Sequence, residues 1–473
     1  MSRTPSLLRL RRRAAVAAAT LSLTVGVVAP AVGANAAPSP ELAVASVADS
    51  RQDVYAQAAQ EFGVPESVLL AVSYLESRWD VHAGEPSRAG GYGPMHLTDL
   101  AAAVAFARGD SARPSTSTAP TSPALRTVAL ASRLTGIAEA RLRTDPTANI
   151  RGGAAVLAEY QRQLGAATTD DPAAWYGAIA RYSGAKDEAS ARAFADEAYS
   201  ILAEGARRTT DDGQPIALSP HAVQPNRAWL GRLGLKKAAG GDVECPRSIG
   251  CEWIPAPYED LGDGDYGNHD VADRPHSQKI RYIVIHDTEG TYQTTLNLVQ
   301  DPTYVSWQYT LRASDGHIAQ HVKAKDVAWH AGNWYVNAKS IGLEHEGYAA
   351  RGTWYTEAMY RTSATLVRYL ALKYAIPLDR QHILGHDVVP GTTPGTVSGM
   401  HWDPGPYWDW THYFDLLDAP FRTTGTRHTG AVTIRPDFAT NNPGFVGCEN
   451  VPGPPGEGTP PACGDWGSSA VMP

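Results

Sequence analysis

The stretch "KIRYIVIH", from Lys279 to His286, decides the fold of the second half of the chain. Its residues are β-branched and apolar on both faces, which is typical of a central strand that is covered on both sides. A second strand candidate, "KSIGLEHEG" (339–347), and a long helix with an apolar stripe, "YTEAMYRTSATLVRYLALKYA" (355–375), follow it. Strands mixed with helices over residues 278–420 predict a compact α/β domain.

The first half, residues 50–205, is predicted to be α-helical. Pro65 lies near the first helical position of "VPESVLLAVSYLES", and Gly165 follows a second helical pattern as a C-terminal cap. Residues 206–277 are polar, rich in Gly and Pro and without a sustained period, so they predict a linker. Residues 421–473 predict a tail that is too poor in apolar residues to form a domain by itself. The sequence is therefore predicted to be multidomain.

Residues 1–37 have the pattern of a secretory signal peptide. Five arginines precede the apolar run "AAVAAATLSLTVGVVAPAV", and small residues around Ala36 follow it as a cleavage site. The alternative is a membrane anchor, which the shortness of the run and its interruption by Pro30 disfavour. We therefore expect an exported protein without a stable membrane anchor.

The net charge bears on the class of binding partner, and the cysteine content bears on disulfide formation. Removing residues 1–36 takes away five arginines and no acid, so the formal net charge falls from −8 to −13, which disfavours nucleic acid as a partner. In an exported chain the four cysteines predict two local disulfides, Cys245 with Cys251 and Cys448 with Cys463. The alternative is a structural zinc site, but the sequence has no C-x-x-C pair.

Three side chains in the second half are candidate metal ligands. His286 stands where the strand "RYIVIH" gives way to "DTEG", His386 follows Gly385, and Asp403 precedes Pro404. A catalytic zinc usually takes three protein ligands, and His and Asp are suitable types. Proline fixes the backbone and glycine permits close approach, so a loop rich in both can hold such ligands rigidly. The alternative is that these are ordinary polar turn residues.

The strand "SIGLEHEG" supplies candidate carboxylates. Side chains alternate along a strand, so Glu344 and Glu346 share one face and His345 takes the other with the apolar residues. At least one carboxylate should border a cleft, where it could accept a proton from a metal-activated water. The alternative is that both glutamates lie on a solvated face.

Five motifs in the second half together resemble one enzyme family. "YIVIHDTEG", "VAWHAG", "SIGLEHEG", "ILGHDVVPG" and "HWDPGP" occur in the order found in the type-2 zinc N-acetylmuramoyl-L-alanine amidases, which include the peptidoglycan recognition proteins. The resemblance covers roughly residues 278–420. It implies a mixed sheet flanked by helices, a Zn²⁺ ion in a surface groove, and cleavage of the amide between the lactyl group of N-acetylmuramic acid and L-alanine. A secreted member would associate with the cell wall and bind the glycan strands and stem peptides of peptidoglycan.

The resemblance also assigns roles by position. The zinc ligands correspond to His286, His386 and Asp403, and the catalytic glutamate corresponds to Glu344, with Glu346 as the alternative. His401 stands two positions before the ligand aspartate, where many members have lysine, and this departure leaves its role in oxyanion stabilisation open. Four further residues are predicted to line the groove, although core packing is the alternative for the aromatic ones: Trp307, Tyr309, Trp329 and His330.

The first half resembles a second family. The block around Glu76, together with "NIRGGAAVLAEY" and "WYGAIARYSG", is similar to the lysozyme-like lytic transglycosylases over about residues 52–184. The resemblance makes Glu76 a general acid that protonates a glycosidic oxygen, which requires a raised pKa. The chain departs from that pattern at His96 and Ser183 and by an insertion rich in Ser, Thr and Pro. A wall-binding or inactive domain is the alternative.

Three functions follow from these observations. The first is a secreted zinc amidase that hydrolyses peptidoglycan. The second is a non-catalytic peptidoglycan-binding protein that uses the same groove. The third is a bifunctional enzyme whose first half cleaves glycan strands. The three competent ligand positions favour the amidase.

Overall fold

A six-stranded mixed sheet forms the centre of the second half. The computed structural model describes residues 50–422 and Thr426, apart from residues 88–89, 100, 103–125, 238–242, 263–264, 303–304, 348, 350–354, 394–396 and 398–399. The sheet has the strand order β14-β9-β13-β10-β11-β5. Its strands are β5 (Cys251–Trp253), β9 (Tyr282–Asp287), β10 (Tyr309–Leu311), β11 (Ile318–Gln320), β13 (Ser340–His345) and β14 (Ile383–Gly385). All pairs are parallel except β10 with β11, so the mixed sheet flanked by helices is confirmed.

The register of the parallel strands places two different rows of side chains on the two faces. Glu344 of β13 pairs with His286 of β9 and with Thr310 of β10, whereas the preceding position, Leu343, pairs with Ile285 and Tyr309. In-register neighbours point to the same face, and successive residues point to opposite faces. One face therefore carries a polar row and the other an apolar row.

The second half contains the short helices α8 (Tyr292–Val299) and α9 (Trp334–Lys339). The apolar face of the sheet packs against helix α10 (Glu357–Tyr374) and helix α11 (Trp410–Leu416). The hydroxyl of Thr356 caps α10 by accepting from the backbone N–H of Met359 at 3.2 Å. Met359, Leu366 and Val367 of α10 share one hydrophobic core with the apolar row of the sheet. The helix predicted over 355–375 is confirmed, with its ends shifted by one or two residues.

Helices dominate the first half of the described chain. They are α1 (Arg51–Phe62), α2 (Glu66–Ser77), α3 (Thr127–Thr135), α4 (Glu139–Thr144), α5 (Pro146–Gln163), α6 (Tyr176–Tyr182) and α7 (Glu188–Glu204), and a short hairpin pairs β1 (Gly91–Tyr92) with β2 (Leu97–Thr98). Pro65 is the N-cap of α2, and Gly165 follows α5 with a left-handed φ of 70°. Their buried side chains form a separate core around Leu69, Trp79 and Phe194.

The segment 206–277 differs from the predicted linker, because it contributes regular structure. Hairpin β3 (Ala206–Thr209) and β4 (Pro215–Leu218) adds Ile216 and Leu218 to the core of the first half. Further along, β5 extends the six-stranded sheet, and the disulfide Cys245–Cys251 closes the loop that leads into it. Short pairs link β6 (Asp260–Gly262) with β7 (Asp265–Tyr266), and β8 (His269–Asp270) with β12 (Val327–Ala328). These strands are too short to produce a visible period in sequence.

Partly buried ion pairs join the two halves. Arg78 at the end of α2 lies 3.0 Å from Asp409, and Arg361 of α10 lies 3.2 Å from Glu197 of α7. The described helical and sheet-forming segments belong to one compact unit. Apolar packing also links the halves, because Ala358 of α10 belongs to the hydrophobic core of the first half.

Several predictions concern parts of the chain that lie outside the described residues. These are the signal peptide of residues 1–37, most of the insertion rich in Ser, Thr and Pro, and the disulfide between Cys448 and Cys463 in the tail. Among the helices that the structure does describe, each is too short or too polar to span a membrane.

Candidate metal centre and active-site cavity

His286, His386 and Asp403 converge from three elements that are remote in sequence. His286 lies in β9, His386 directly follows the neighbouring strand β14, and Asp403 belongs to the loop between His386 and α11. All three side chains are buried, and their candidate ligand atoms lie within 4.8 Å of one another. Asp403 bridges the two imidazoles, since its Oδ2 is 3.1 Å from His286 Nδ1 and its Oδ1 is 3.0 Å from His386 Nδ1.

The loop that carries Asp403 is held at several points. The carbonyl oxygen of Asp403 accepts from the backbone N–H of Asp387 at 2.9 Å, and the carbonyl oxygen of Pro404 accepts from Tyr355 Oη at 3.0 Å. Gly405 has a φ of 73°, and a Cβ atom there would lie 2.9 Å from the side chain of Ala349. Glycine is therefore required at this position, as expected of a rigid loop that brings a ligand to the end of a sheet.

A chain of hydrogen bonds fixes the tautomer of His286. Ser340 Oγ donates to the carbonyl oxygen of Val336 at 2.7 Å, so its lone pair accepts from His330 Nε2 at 3.1 Å. His330 Nδ1 must then accept from His286 Nε2 at 2.9 Å. The proton of His286 is on Nε2, and Nδ1, which faces Asp403, is left with its lone pair. Such outer contacts orient metal-binding imidazoles and fix their basicity.

The electrostatics of the cluster agree with this assignment. Burial and the neighbouring His386 lower the pKa of His286 to about 4, and burial lowers the pKa of His330 well below its usual range. Burial opposes the charge on Asp403, but the two imidazoles outweigh it and hold the pKa of that carboxyl well below its usual range. The cluster therefore offers a carboxylate and a neutral imidazole to a cation.

The donor set fits Zn²⁺. Two imidazole nitrogens and one carboxylate oxygen are a known three-ligand combination for a catalytic zinc, and the fourth position then stays open to water or substrate. His286, His386 and Asp403 are the only group of three or more His, Cys, Asp or Glu side chains within the described part of the chain whose ligand atoms lie this close together. The metal-binding residues named from the sequence are thus brought together in space.

Glu344 lies beside this cluster in the same row of the sheet. Its Oε1 is 3.9 Å from His286 Nδ1, and its buried Oε2 has no hydrogen-bond partner among the described residues. Burial, reinforced by the carboxylates of Asp403, Asp287 and Glu289, raises the pKa of Glu344 well above its usual range. A raised pKa suits a carboxyl group that accepts and returns a proton during a reaction.

Glu346, the alternative carboxylate, has a structural role. Its two oxygens accept from the backbone N–H groups of Tyr292 and Ala313, each at 2.8 Å. It is buried, and it does not line the cavity at the cluster. His345 points to the apolar face, where its ring packs against Trp408 and its Nε2 contacts Ser363 Oγ at 2.7 Å.

A cavity of about 450 Å³ is lined by His286, His386 and Glu344. Trp307, Trp329 and His330, which the sequence predicts at the groove, line it. Both indoles are oriented by hydrogen bonds, Trp307 Nε1 to Thr310 Oγ1 at 2.7 Å and Trp329 Nε1 to Asp270 Oδ2 at 2.6 Å. His330 both lines the cavity and orients His286.

Tyr309 is the exception, because it is buried in the apolar core rather than at the cavity. Its register partner is Leu343, so it points to the face opposite Glu344, and its hydroxyl donates to the carbonyl oxygen of Glu244 at 2.9 Å. The prediction that Tyr309 lines the groove is wrong. Trp307 lines the cavity but precedes the strand, so the alternation of side chains along the strand does not place Tyr309 on the same face as Trp307.

His401 lines the cavity from the loop side. Its side chain is 52% exposed, its Nδ1 is 3.7 Å from Asp403 Oδ1, and its ring lies 5.0 Å from that of His386. Partial desolvation of the ring and the neighbouring His386 lower its pKa, against the opposing influence of Asp403, which favours a neutral imidazole at neutral pH. Its N–H can therefore donate to an oxygen atom in the cavity.

Glu76 of the first half has different surroundings. It is buried at the end of α2, and its Oε2 lies 3.0 Å from His96 Nδ1, whose Nε2 is 2.5 Å from Ser87 Oγ. Burial raises the pKa of Glu76, against the opposing influence of His96. Glu76 does not line the cavity at His286. It also does not line the cavity around Tyr160 and Leu235 in the described helical half.

Sequence reasoning missed two residues that support the site. Ser340 anchors His330, and Tyr355 Oη lies 2.6 Å from Asp287 Oδ2 beside the cluster. Ser340 opens the strand that carries Glu344, and Tyr355 lies two residues before α10. Neither position has a local sequence signal, because both roles depend on contacts between remote segments.

Comparisons with known proteins concern the segment that forms this site. The family model for N-acetylmuramoyl-L-alanine amidase matches residues 276–406. N-acetylmuramoyl-L-alanine amidase A of Achromobacter lyticus is 32% identical over 154 residues, which make up 30% of this chain and 85% of that protein. The 1,6-anhydro-N-acetylmuramyl-L-alanine amidase AmpD of Haemophilus influenzae is 27% identical over 202 residues, or 37% of this chain and 97% of that protein.

Solved structures give smaller similarities. A selenomethionine derivative of AmpD is 24% identical with a TM-score of 0.25, and the match covers 35% of this chain and 93% of that chain. The amidase AmiD from E. coli, in complex with anhydro-N-acetylmuramic acid-L-Ala-D-gamma-Glu-L-Lys, is 22% identical with a TM-score of 0.24, and the match covers 34% and 65% of the two chains.

Proposed function

This chain belongs to the N-acetylmuramoyl-L-alanine amidase family and is an amidase of that kind, and on that premise we propose that it is a secreted, zinc-dependent enzyme of the cell wall. Its substrate would be peptidoglycan, cut at the amide between the lactyl group of N-acetylmuramic acid and L-alanine. The observation that carries the proposal is the convergence of His286, His386 and Asp403 within 4.8 Å at the floor of a cavity. The signal-like residues 1–37 support secretion.

The residues of the chain divide the chemistry among them. Zn²⁺ held by His286, His386 and Asp403 would supply a Lewis acid for the scissile carbonyl and make a nearby water more acidic. Glu344, with a raised pKa and an unpartnered oxygen, accepts the proton of the attacking water and passes it to the departing alanine nitrogen. His401 donates an N–H to the carbonyl oxygen as negative charge develops there.

The cavity walls hold the substrate while these residues act. Trp307 and Trp329 present indole faces whose N–H groups are already bonded within the protein, so the faces are oriented before substrate arrives. Preorganised walls reduce the entropy that is lost when the amide is placed beside Glu344.

A purely binding function is less well supported. A binding protein has no need of a buried carboxylate with a raised pKa beside three competent ligands, because burying that charge costs free energy without a catalytic return. The bifunctional alternative requires Glu76 to face a cleft, but its carboxylate is buried and lies 3.0 Å from His96 Nδ1. We therefore propose amide cleavage as the sole hydrolytic activity.

Product analysis on purified sacculi tests the proposal. The zinc-loaded protein is expected to release free amino groups of L-alanine from the wall without new reducing or anhydro-muramyl ends. Asp403→Ala should lose this release, whereas Glu76→Gln should keep it. Release of glycan ends without L-alanine amino termini would contradict the proposal.

A further inference from the structure

A second cavity of about 450 Å³, in the helical half, is lined by three cationic side chains. Arg133 lies near the end of α3, Arg181 lies in α6, and Lys186 lies in the connection between α6 and α7. All three are exposed, and none forms an ion pair with a residue in the described part of the chain. Cations grouped at one cavity, in a chain with a formal net charge of −8, indicate an anionic ligand.

Two acids that influence or adjoin these cations are engaged by other side chains. Glu159, whose charge acts on Arg181 through space, accepts hydrogen bonds from Arg162 at 2.7 and 2.8 Å. Asp187, which follows the lysine along the chain, lies 3.2 Å from His317 Nδ1. The positive charge at the cavity is therefore available to a ligand.

Apolar and aromatic side chains also line this cavity. Leu130, Leu233 and Leu235 line it and pack against the hydrophobic core of the helical half. Tyr160 lines it with only 7% of its surface exposed, and its hydroxyl forms no hydrogen bond with a described residue. Arg181 Cζ lies 5.0 Å from the centre of the Tyr160 ring, which orients this cation. The cavity therefore combines apolar surface, a hydroxyl group and positive charge.

The leucine-bearing segment of the lining is fixed by the backbone. Gly234 lies between Leu233 and Leu235, and its left-handed φ of 62° lets the chain turn there. The carbonyl oxygen of Lys236 then accepts from the backbone N–H of Glu188, at the start of α7, at 2.8 Å. A lining that is already ordered lowers the conformational entropy that is lost on binding.

The chemistry of the lining distinguishes between the polymers of a cell wall. A glycan strand carries hydroxyl and acetamido groups but offers no charge to three cations. A polyol phosphate chain is anionic but presents little apolar surface. A stem peptide has both carboxylates and alanine methyl groups, so it matches the cations and the leucines together.

We propose that this cavity binds an uncleaved stem peptide of peptidoglycan through its carboxylates, as a second site separate from the amidase cavity. The inference rests on the proposed function, because that function makes peptidoglycan the substrate. The two cavities share no lining residue. A stem peptide bound at the second site raises the effective concentration of neighbouring stems at the zinc site.

Equilibrium titration with a soluble disaccharide tetrapeptide tests the second site. The zinc-loaded, full-length Glu344→Gln protein is used, because it should bind the ligand without cleaving it. Two ligand molecules per chain are expected. The triple variant Arg133→Gln, Arg181→Gln and Lys186→Gln should bind one. The same ligand with its carboxyl groups converted to amides should also bind only once.

A matched control removes the same charge elsewhere. Its three replacements are at exposed cations that line neither cavity and form no ion pair with a described residue: Arg207→Gln, Arg247→Gln and Lys279→Gln. This control should still bind two ligand molecules. In the active protein, the triple variant at the cavity should change kcat/KM for the disaccharide tetrapeptide by less than about twofold, since its residues do not line the amidase cavity.

Three outcomes would overturn the second site. These are one ligand molecule per chain before any replacement at the cavity, two molecules retained by the triple variant, and an equal loss in the control. A glycerol phosphate oligomer that binds the cavity, where the tetrapeptide does not, would assign it to a phosphate polymer and overturn the peptide proposal. Failure of the wild-type protein to release L-alanine amino termini would instead contradict the proposed function, and the titration measures the second site without it.

Discussion

Desolvation raises the pKa of both Glu344 and Glu76, but the surroundings of the two carboxyl groups differ. Glu344 lines a cavity beside His286, where a substrate can reach it. Glu76 lies 3.0 Å from His96, which in turn contacts Ser87. A raised pKa alone therefore does not identify an acid or base, since a substrate atom must also reach the carboxylate.

The contrast extends to the two halves of the chain. The α/β half brings ligands, a proton carrier and aromatic walls to one cavity at the end of parallel strands. In the helical half, the carboxylate of Glu76 at the end of α2 lies beside the buried imidazole of His96. We infer that the helical half supports the fold and that the chemistry belongs to the α/β half.

Replacing Glu344 gives the largest expected effect. Glu344→Gln removes the proton acceptor while keeping the shape of the side chain, so kcat for amide cleavage should fall about 10²- to 10⁴-fold. The zinc content should stay at the wild-type value, because Glu344 is not among the proposed ligands. Full activity in Glu344→Gln would contradict the assignment of Glu344 as the proton acceptor and would leave no functional difference between Glu344 and Glu76.

Glu357 tests whether the two halves form one cooperative unit. This residue of α10 is buried, and Arg361, which it contacts at 2.8 Å, also binds Glu197 of the helical half. Although burial opposes its charge, His412 and the arginines lower its pKa from 4.5 to about 2. Because the folded value is below the unfolded one, the stabilisation is complete above pH 4.5 and is lost as pH falls toward 2.

The wild-type protein should therefore exceed Glu357→Gln in free energy of unfolding by roughly 3 kcal/mol at pH 7. Urea unfolding at pH 7, 5, 4 and 3 should show that this difference becomes smaller as the pH falls. Both halves should unfold in a single transition. Glu159→Gln is the control, because Glu159 pairs with Arg162 on an exposed helix surface and should contribute less than about 1 kcal/mol. A difference that is independent of pH would contradict the ionic account.

His330 tests the hydrogen-bond chain behind the metal site. His330→Ala leaves His286 Nε2 without its acceptor, so zinc affinity should fall about 10- to 100-fold. Competition against a chromophoric chelator measures this change. Trp329→Phe, at another position on the cavity wall, should leave the affinity unchanged, and equal effects of the two replacements would mean that the loss comes from the cavity wall in general.

Replacing Glu76 gives the smallest expected effect on catalysis. Glu76→Gln keeps a hydrogen-bonding group beside His96, so amide cleavage on sacculi should change by less than about twofold. Assays for reducing and anhydro-muramyl ends should be negative for both proteins. Glycan ends that appear with the wild type and disappear with Glu76→Gln would show that the helical half is also catalytic.

Much of the α/β half could be predicted from local patterns. The strand that ends in His286, the strand that carries Glu344 and the helix at 357–374 each have a clear periodicity, and Cys245 and Cys251 are close enough in sequence to pair. The loop around Asp403 was recognisable because proline fixes its backbone and glycine permits close approach.

Other features depend on contacts that no local pattern contains. The face of Tyr309 is set by its register with Leu343, and the strands of 206–277 gain stability only from the elements that they pair with. Glu76 is enclosed because His96 adopts a left-handed φ of 48° and packs against Gly91, where a Cβ would lie 1.9 Å from the ring. A departure from a motif, such as histidine at position 96, shows its consequence only in three dimensions.

Zinc binding tests the central claim most directly. The purified protein should bind one Zn²⁺ per chain, and His286→Ala, His386→Ala and Asp403→Ala should each lose the metal together with amide cleavage while Glu76→Gln keeps both. Elemental analysis beside the release of L-alanine amino termini measures the two quantities in the same samples. A metal-free protein that cleaves at the full rate, or an Asp403→Ala protein that keeps its zinc and its activity, would contradict the account.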